Sequence, residues 1–378
     1  MKAVTYQGIK NVEIREVKDP AIKNPDDIIV KITTSGICGS DLHLIHAMIP
    51  NLPTDYVIGH EPMGIVEEVG PEVSNLKKGD RVIIPFNVSC GHCWYCTHDL
   101  TSQCDNGNPH GEGAGFFGYS ETTGGYAGGQ AEYMRVPFGN FTPFKIPDNC
   151  QVEDEKLMLL ADVVPTSYWS VDHAGVKAGD TVIILGCGPI GLMAQKFAWL
   201  KGAKRVIAVD YVGYRLEHAK RTNKVEIVNF EDYENVGDYL LEITKGGADV
   251  VIDAVGMDGK MTPLEFLASG MKLQGGAMGA IVIASQCVRK GGTIQITGVY
   301  GGRYNAFPLG DIFQRNVDLK TGQAPVIPYM PTLYNMINEG KLDPGDIITH
   351  VLPLNQAKHG YEVFDTKTED CIKVVLKP

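Results

Sequence analysis

Thr181-Val182-Ile183-Ile184-Leu185, followed at once by Gly186-Cys187-Gly188-Pro189-Ile190-Gly191, is the stretch on which the fold class turns. An apolar run of this length without alternation reads as a strand buried on both faces of a parallel sheet. The Gly-x-Gly-x-x-Gly spacing then opens a helix, expected over Leu192–Leu200. Each glycine has a mechanical task. Gly186 makes the tight turn, Gly188 lets the backbone approach a pyrophosphate, and Gly191 lets the helix pack closely on the strand. Pro189 and Ile190 complete the fingerprint, and the helix N-terminus offers unpaired N–H groups to an anion. Asp210 closes the next strand nineteen residues after Gly191. Its carboxylate suits ribose hydroxyls and repels a 2′-phosphate, which favours NAD over NADP. Arg215 either flanks the adenine or lies on a helix surface. The plain alternative for the whole stretch is a glycine-rich turn in an unrelated α/β sheet.

Working outward, the same alternation continues through strands at Arg205–Val209, Ala248–Asp253 and Thr293–Thr297, with a helix at Tyr214–Arg221. This pattern indicates a doubly wound parallel sheet. Upstream the text changes character. Short strands at Asp27–Thr33, Gly64–Val69 and Arg81–Ile84 are broken by Gly, Pro and Asp, as at Lys78-Gly79-Asp80. After about Tyr300 mixed strand and helix return, punctuated by Pro325, Pro328, Pro331 and Pro353. The reading is an α/β chain of two domains: residues 1–163 β-rich, residues 164–300 binding nucleotide, and residues 301–378 returning to the first. Met257–Gly279 is too rich in Gly and Met for a regular element and too long for an ordinary connection. It is a candidate functional loop, or an inert surface insertion.

The 378 residues exceed a single ordinary core, consistent with two domains. With 44% hydrophobic and 21% charged residues the chain is globular rather than disordered. A net charge of −11 without any Lys/Arg block argues against nucleic acid and anionic membrane as partners. No run reaches the roughly 20 apolar residues of a membrane span. Met1–Lys10 reads as a polar strand, not a secretion signal, so a cytoplasmic location is expected. Nine cysteines, four of them within fifteen positions, suit metal ligation in a reducing compartment better than disulfides.

Those four are Cys90, Cys93, Cys96 and Cys104, within a lobe at residues 88–106. Four thiolates at this spacing close a tetrahedral shell around structural zinc and leave no position open for chemistry. An iron–sulfur cluster is the competing metal, and disulfides are a poorer third. A second set lies at Gly36-Ile37-Cys38-Gly39-Ser40-Asp41-Leu42-His43 and Gly59-His60-Glu61. Cys38 and His60 are zinc ligands by type, although each alone is more often a buried small side chain or a satisfied loop histidine.

Gly59-His60-Glu61-x-x-Gly64-x5-Gly70, the four-cysteine lobe and the dinucleotide fingerprint stand in the order and spacing of the zinc-containing medium-chain dehydrogenase/reductase, or alcohol dehydrogenase, family, which the whole chain resembles. The resemblance implies a GroES-like catalytic domain, a Rossmann domain, a cleft between them and two zinc ions per chain, one catalytic and one structural. It makes Cys38 and His60 catalytic zinc ligands and places Ser40 against the zinc-bound oxygen. His43 passes the proton onward, Glu61 is an acidic neighbour able to approach the metal, and Thr166 joins the cofactor-binding residues. It also implies a homodimer or homotetramer.

The family's usual third ligand is a cysteine, but here the segment reads Asp162-Val163-Val164-Pro165-Thr166-Ser167-Tyr168 and the ligand position holds Asp162. A carboxylate still binds zinc, and with one thiolate it balances two positive charges. Cys150 and Glu155 are the alternatives. An aspartate there is associated with glutathione-independent formaldehyde dehydrogenases. Pro85-Phe86-Asn87-Val88-Ser89-Cys90, Gly128-Gly129-Gln130-Ala131-Glu132-Tyr133 and Thr321-Gly322-Gln323-Ala324-Pro325-Val326 resemble that subfamily too. Met257–Gly279 falls where it carries an insertion over the cofactor, which would slow NAD exchange. The expected substrate is a small alcohol or aldehyde hydrate, with a polyol or secondary alcohol as the nearest alternative. A non-catalytic NAD-binding redox sensor is the alternative of another class.

Overall fold

The computed structural model describes every residue except 50, 51, 112, 260–275 and 306. Most of Met257–Gly279 therefore lies outside the described residues. The chain forms two compact units, one of Met1–Pro165 with Pro325–Pro378 and one of Thr166–Ala324.

The second unit carries a six-stranded sheet in the order Glu226–Asn229, Arg205–Asp210, Thr181–Leu185, Ala248–Asp253, Val288–Ile296 and Asp318–Thr321. Every pair in it is parallel. The order reverses beside Thr181–Leu185, so the glycine fingerprint leaves the sheet at the switch point where open α/β sheets bind ligands. Ile183, Ile207, Val251 and Ile294 are fully buried within its core, as runs of β-branched residues covered on both faces should be.

The boundary expected at residue 300 is corrected by the last strand. Asp318–Thr321 pairs with Val288–Ile296, so this unit extends to Ala324. It is an edge strand with largely exposed residues, and it lacks the apolar run that marks its neighbours in the sequence. Strand 293–297 in turn begins earlier than its apolar run, at Val288.

The first unit is mainly antiparallel. Its largest sheet runs Phe144–Lys145, Arg81–Ile83, Glu61–Val69, Ile28–Ile37, Lys373–Lys377 and Ile348–Pro353, with Tyr133–Val136 also pairing to Ile28–Ile37. The central strand Ile28–Ile37 places Gly36 opposite Glu61 on one side and Val375 on the other. The C-terminus of the chain thus lies beside residues met near its beginning. Buried apolar clusters gather around Val4, Ile37, Leu44 and Leu376, and around Ile28, Val66, Val82 and Met134.

Candidate active site and metal centres

Strand Ile28–Ile37 ends at Cys38, where the chain turns into the short helix Gly39–Ile45. Asp41 in its first turn accepts the Cys38 backbone N–H at 2.9 Å, which holds the turn in place. Ser40 and His43, three residues apart, share one helix face. Glu61 begins the neighbouring strand and pairs with Gly36, which brings it and the preceding His60 to the strand end that leads into Cys38. Asp162 stands in the break between the turn Leu159–Ala161 and helix Val163–Ala174, at φ −151 and ψ −70.

Cys38, His60, Glu61 and Asp162 each offer a ligand atom, and these lie within 4.8 Å of one another. Cys38 Sγ is 3.4 Å from Asp162 Oδ2, and His60 Nε2 is 3.5 Å from the same oxygen. Ligands about 2.0 to 2.3 Å from one zinc ion in a tetrahedron stand roughly 3.3 to 3.8 Å apart. The set therefore fits a single zinc ion. Cys150 and Glu155 are outside the group; Glu155 is instead paired with Lys377 Nζ at 2.7 Å. Ser40 Oγ lies 3.2 Å from His60 Nε2 and 3.4 Å from Cys38 Sγ, directly beside the ligand atoms.

Burial, with the nearby Asp162 and Glu61 carboxylates, pushes the Cys38 thiol up to about 11. Burial works against charge on His60, but the Asp41 carboxylate and Cys38 outweigh it and hold His60 well above its usual range. Asp41 Oδ1 is 3.0 Å from His60 Nδ1, an ion-pair contact on the far side of the ring from Nε2, which faces Ser40 and Asp162. Burial also raises Glu61, opposed by an ion pair to Lys373, whose side chain is fully buried. Lys373 Nζ further donates to the Ile37 carbonyl at 2.9 Å.

The four lobe cysteines are unpaired by disulfide and present sulfurs within 4.8 Å of one another. Cys93 Sγ and Cys104 Sγ are 3.9 Å apart, close to the tetrahedral edge of about 3.8 Å for zinc–sulfur bonds. N–H groups from Cys90, Cys93 and Cys96 reach the sulfurs of Cys104, Cys90 and Cys93 at 3.2, 3.4 and 3.5 Å. Asn106 Nδ2 donates to Cys90 Sγ at 3.2 Å. Although burial opposes charge, the bonds from Asn106 and from the His92 and Cys93 backbone bring the Cys90 thiol down to about 7. Burial instead pushes the Cys104 thiol up to about 11 and raises Cys96 as well.

In the second unit Gly186 has φ +94, the left-handed turn expected of the first glycine. A Cβ on Gly191 would lie 1.9 Å from the Gly186 carbonyl oxygen, whereas one on Gly188 would meet nothing nearer than Arg215 at 3.9 Å. The outer glycines are sterically required and the middle one faces open space. Asp210 accepts N–H groups from Cys187 at 2.6 Å, Tyr211 at 2.7 Å and Val212 at 2.9 Å, tying the fingerprint loop to the next strand. Pro189 and Ile190 form the first helical turn, Arg215 is buried beside Gly188, and Thr166 lies half-buried in helix Val163–Ala174.

Residues 24–148 match the alcohol dehydrogenase GroES-like domain, and residues 189–270 match the zinc-binding dehydrogenase domain. A zinc-type alcohol dehydrogenase-like protein of Bacillus subtilis is 72% identical over 378 residues, covering 100% of both chains. The chain belongs to the zinc-containing medium-chain dehydrogenase/reductase family. As a family member it is an oxidoreductase that binds zinc and a nicotinamide cofactor. A glutathione-independent formaldehyde dehydrogenase of Bacillus subtilis is 33% identical over 398 residues, covering 96% of this chain and 94% of its own. Alcohol dehydrogenase TADH from Thermus sp. ATN1 superposes with a TM-score of 0.83 at 34% identity, covering 100% and 99%.

Three residues of this family member's site escaped the sequence reading. Asp41 stands inside the Gly36–His43 stretch, where its residue type alone assigned it no role. Gln130, fully buried, donates to the Gly36 carbonyl at 2.9 Å and receives the Tyr361 hydroxyl at 2.9 Å. Lys373 meets Glu61 across 312 positions, and nothing near it in sequence signals the pairing.

Proposed function

We propose that the chain oxidises a small primary alcohol or aldehyde hydrate, formaldehyde hydrate included, with NAD as the hydride acceptor. The observation that carries this reading is the fit of Cys38, His60 and Asp162 to one metal ion with Ser40 beside them. Zinc held there would polarise a substrate hydroxyl, and NAD held by the Rossmann unit would accept hydride from its carbon. Ser40 Oγ accepts the hydroxyl proton, and His43 on the same helix face receives it in turn. Glu61, neutralised by Lys373, is an acidic neighbour of the set. The lobe of Cys90, Cys93, Cys96 and Cys104 holds a second zinc ion that stabilises the fold.

NAD is supported over NADP by Asp210, whose carboxylate would crowd a 2′-phosphate. Gly186, Gly188, Pro189, Ile190 and Gly191 form the pyrophosphate turn, with Arg215 and Thr166 as further cofactor-binding residues. A small substrate is supported by an aromatic wall: Phe86 is edge-on to His60 with ring centroids 6.3 Å apart, and Phe116 follows at 5.4 Å. Such a wall offers little hydrogen bonding to a polyol. NADH formation from formaldehyde, short primary alcohols and polyols tests the assignment; preference for polyols would overturn the substrate class. Metal analysis giving one zinc per chain would favour the redox-sensor alternative.

Cytoplasmic residence accords with nine free cysteines. Assembly into a dimer or tetramer accords with exposed Leu309 and Phe313 in the second unit, and light scattering would measure it.

A further inference from the structure

We infer that Tyr119 is a positioning residue for proton transfer, holding His43 so that its Nε2 is the basic nitrogen. The inference rests on the proposed role of His43 and adds the group that prepares it.

His43 is 4% exposed. Its Nδ1 lies 3.2 Å from the Tyr119 hydroxyl, a side chain 76 positions away. A neutral imidazole can take a proton only at the nitrogen that lacks one, and the bond made by the other nitrogen decides which that is. The phenol can accept from Nδ1–H or donate to a bare Nδ1; the proposed role of His43 requires a bare nitrogen away from Tyr119, so the phenol oxygen accepts from Nδ1–H and Nε2 receives the proton. The same bond persists when the ring becomes cationic, because Nδ1–H remains a donor in both states. Burial pushes the Tyr119 phenol above its ordinary range, so it stays a neutral hydroxyl throughout.

The placement of Tyr119 is built into the backbone. Gly118 sits at φ +59, and a Cβ there would fall 2.4 Å from the Gly59 carbonyl oxygen, in the residue before His60. Phe117 N–H donates to the Phe86 carbonyl at 3.2 Å and Gly118 N–H to the Tyr126 carbonyl at 2.9 Å. Gly115–Phe116 pairs with Asn87–Val88. The turn that carries Tyr119 is thereby clamped against the backbone that carries His60. Phe116 meets the Tyr119 ring edge-on at 6.3 Å and closes the aromatic wall begun by Phe86.

Tyr119→Phe keeps the ring and its packing and removes only the hydroxyl. Formaldehyde and ethanol serve as substrates, with zinc content measured to confirm that the variant is folded and metallated. The expected result is a fall in kcat of about tenfold with KM changed by less than about twofold, and a changed solvent isotope effect on kcat. In a cycle with His43→Gln the two losses do not multiply, because the hydroxyl acts only through the imidazole. Nitrogen NMR of the imidazoles, with His43 identified by its loss in His43→Gln, is expected to show the Nδ1–H form in the parent chain and a mixture of tautomers in Tyr119→Phe. Unchanged kcat, multiplying losses, or an Nε2–H form in the parent chain would each overturn the inference. The NMR arm needs no turnover. If neither substrate is oxidised the proposed function fails, while the assignment of Tyr119 is still decided by the tautomer.

Discussion

At the scale of single residues, the active site is arranged by side chains that carry no reaction step themselves. Asp41 pairs with His60, Gln130 ties Asp41 to the strand end at Gly36, and Lys373 offsets Glu61 in a fully buried pair. Removing one member of such a pair leaves an uncompensated charge. Lys373→Met should cost about 3 to 5 kcal/mol in urea denaturation, and much of that should return in the double variant Lys373→Met, Glu61→Gln. The reaction residues respond differently. Ser40→Ala should lower kcat roughly a hundredfold or more with zinc content unchanged, because in the proposed mechanism the hydroxyl receives the proton but is not a ligand. Asp162→Ala should lose one zinc equivalent by metal analysis, while Asp162→Cys should retain it, since either anion balances the charge beside Cys38.

Elements place these residues by their ends. The helix Gly39–Ile45 is too short to bury much, yet its start at Cys38 and its face with Ser40 and His43 set half of the site. In the Rossmann unit the fingerprint works through backbone contact between a strand end and a helix start. Gly191→Ala would put a methyl group 1.9 Å from the Gly186 carbonyl oxygen, so the helix must move away from the turn. NADH affinity measured by fluorescence titration should fall by about tenfold or more. These elements were legible in the sequence because apolar runs and glycines act over a few residues. Thr181–Leu185 and Ala248–Asp253 stand where their composition puts them. Strand Asp318–Thr321 was not legible, because an exposed edge strand needs no apolar run to pair.

For the molecule as a whole, the lobe around Cys90 to Cys104 is where the proposed second zinc ion would take the place of a core. Its buried side chains are mainly the cysteines themselves with Phe138 and Phe141 against them, which is little apolar mass to order a loop. Cys96→Ser should therefore lose one zinc equivalent and lower Tm by about 5 °C or more in a thermal scan. The amino-acid sequence by itself determined the fold class, the glycine turn at Gly186–Gly191 and the gathering of four lobe cysteines, since each of these depends on spacing within one local stretch. Tertiary structure alone decided that Asp162 rather than Cys150 or Glu155 stands 3.4 Å from Cys38 across 124 positions, that Lys373 offsets Glu61, and that Tyr119 meets His43. Those contacts follow from strand pairing and backbone packing between distant segments, and no local pattern records which distant segment a strand will pair with.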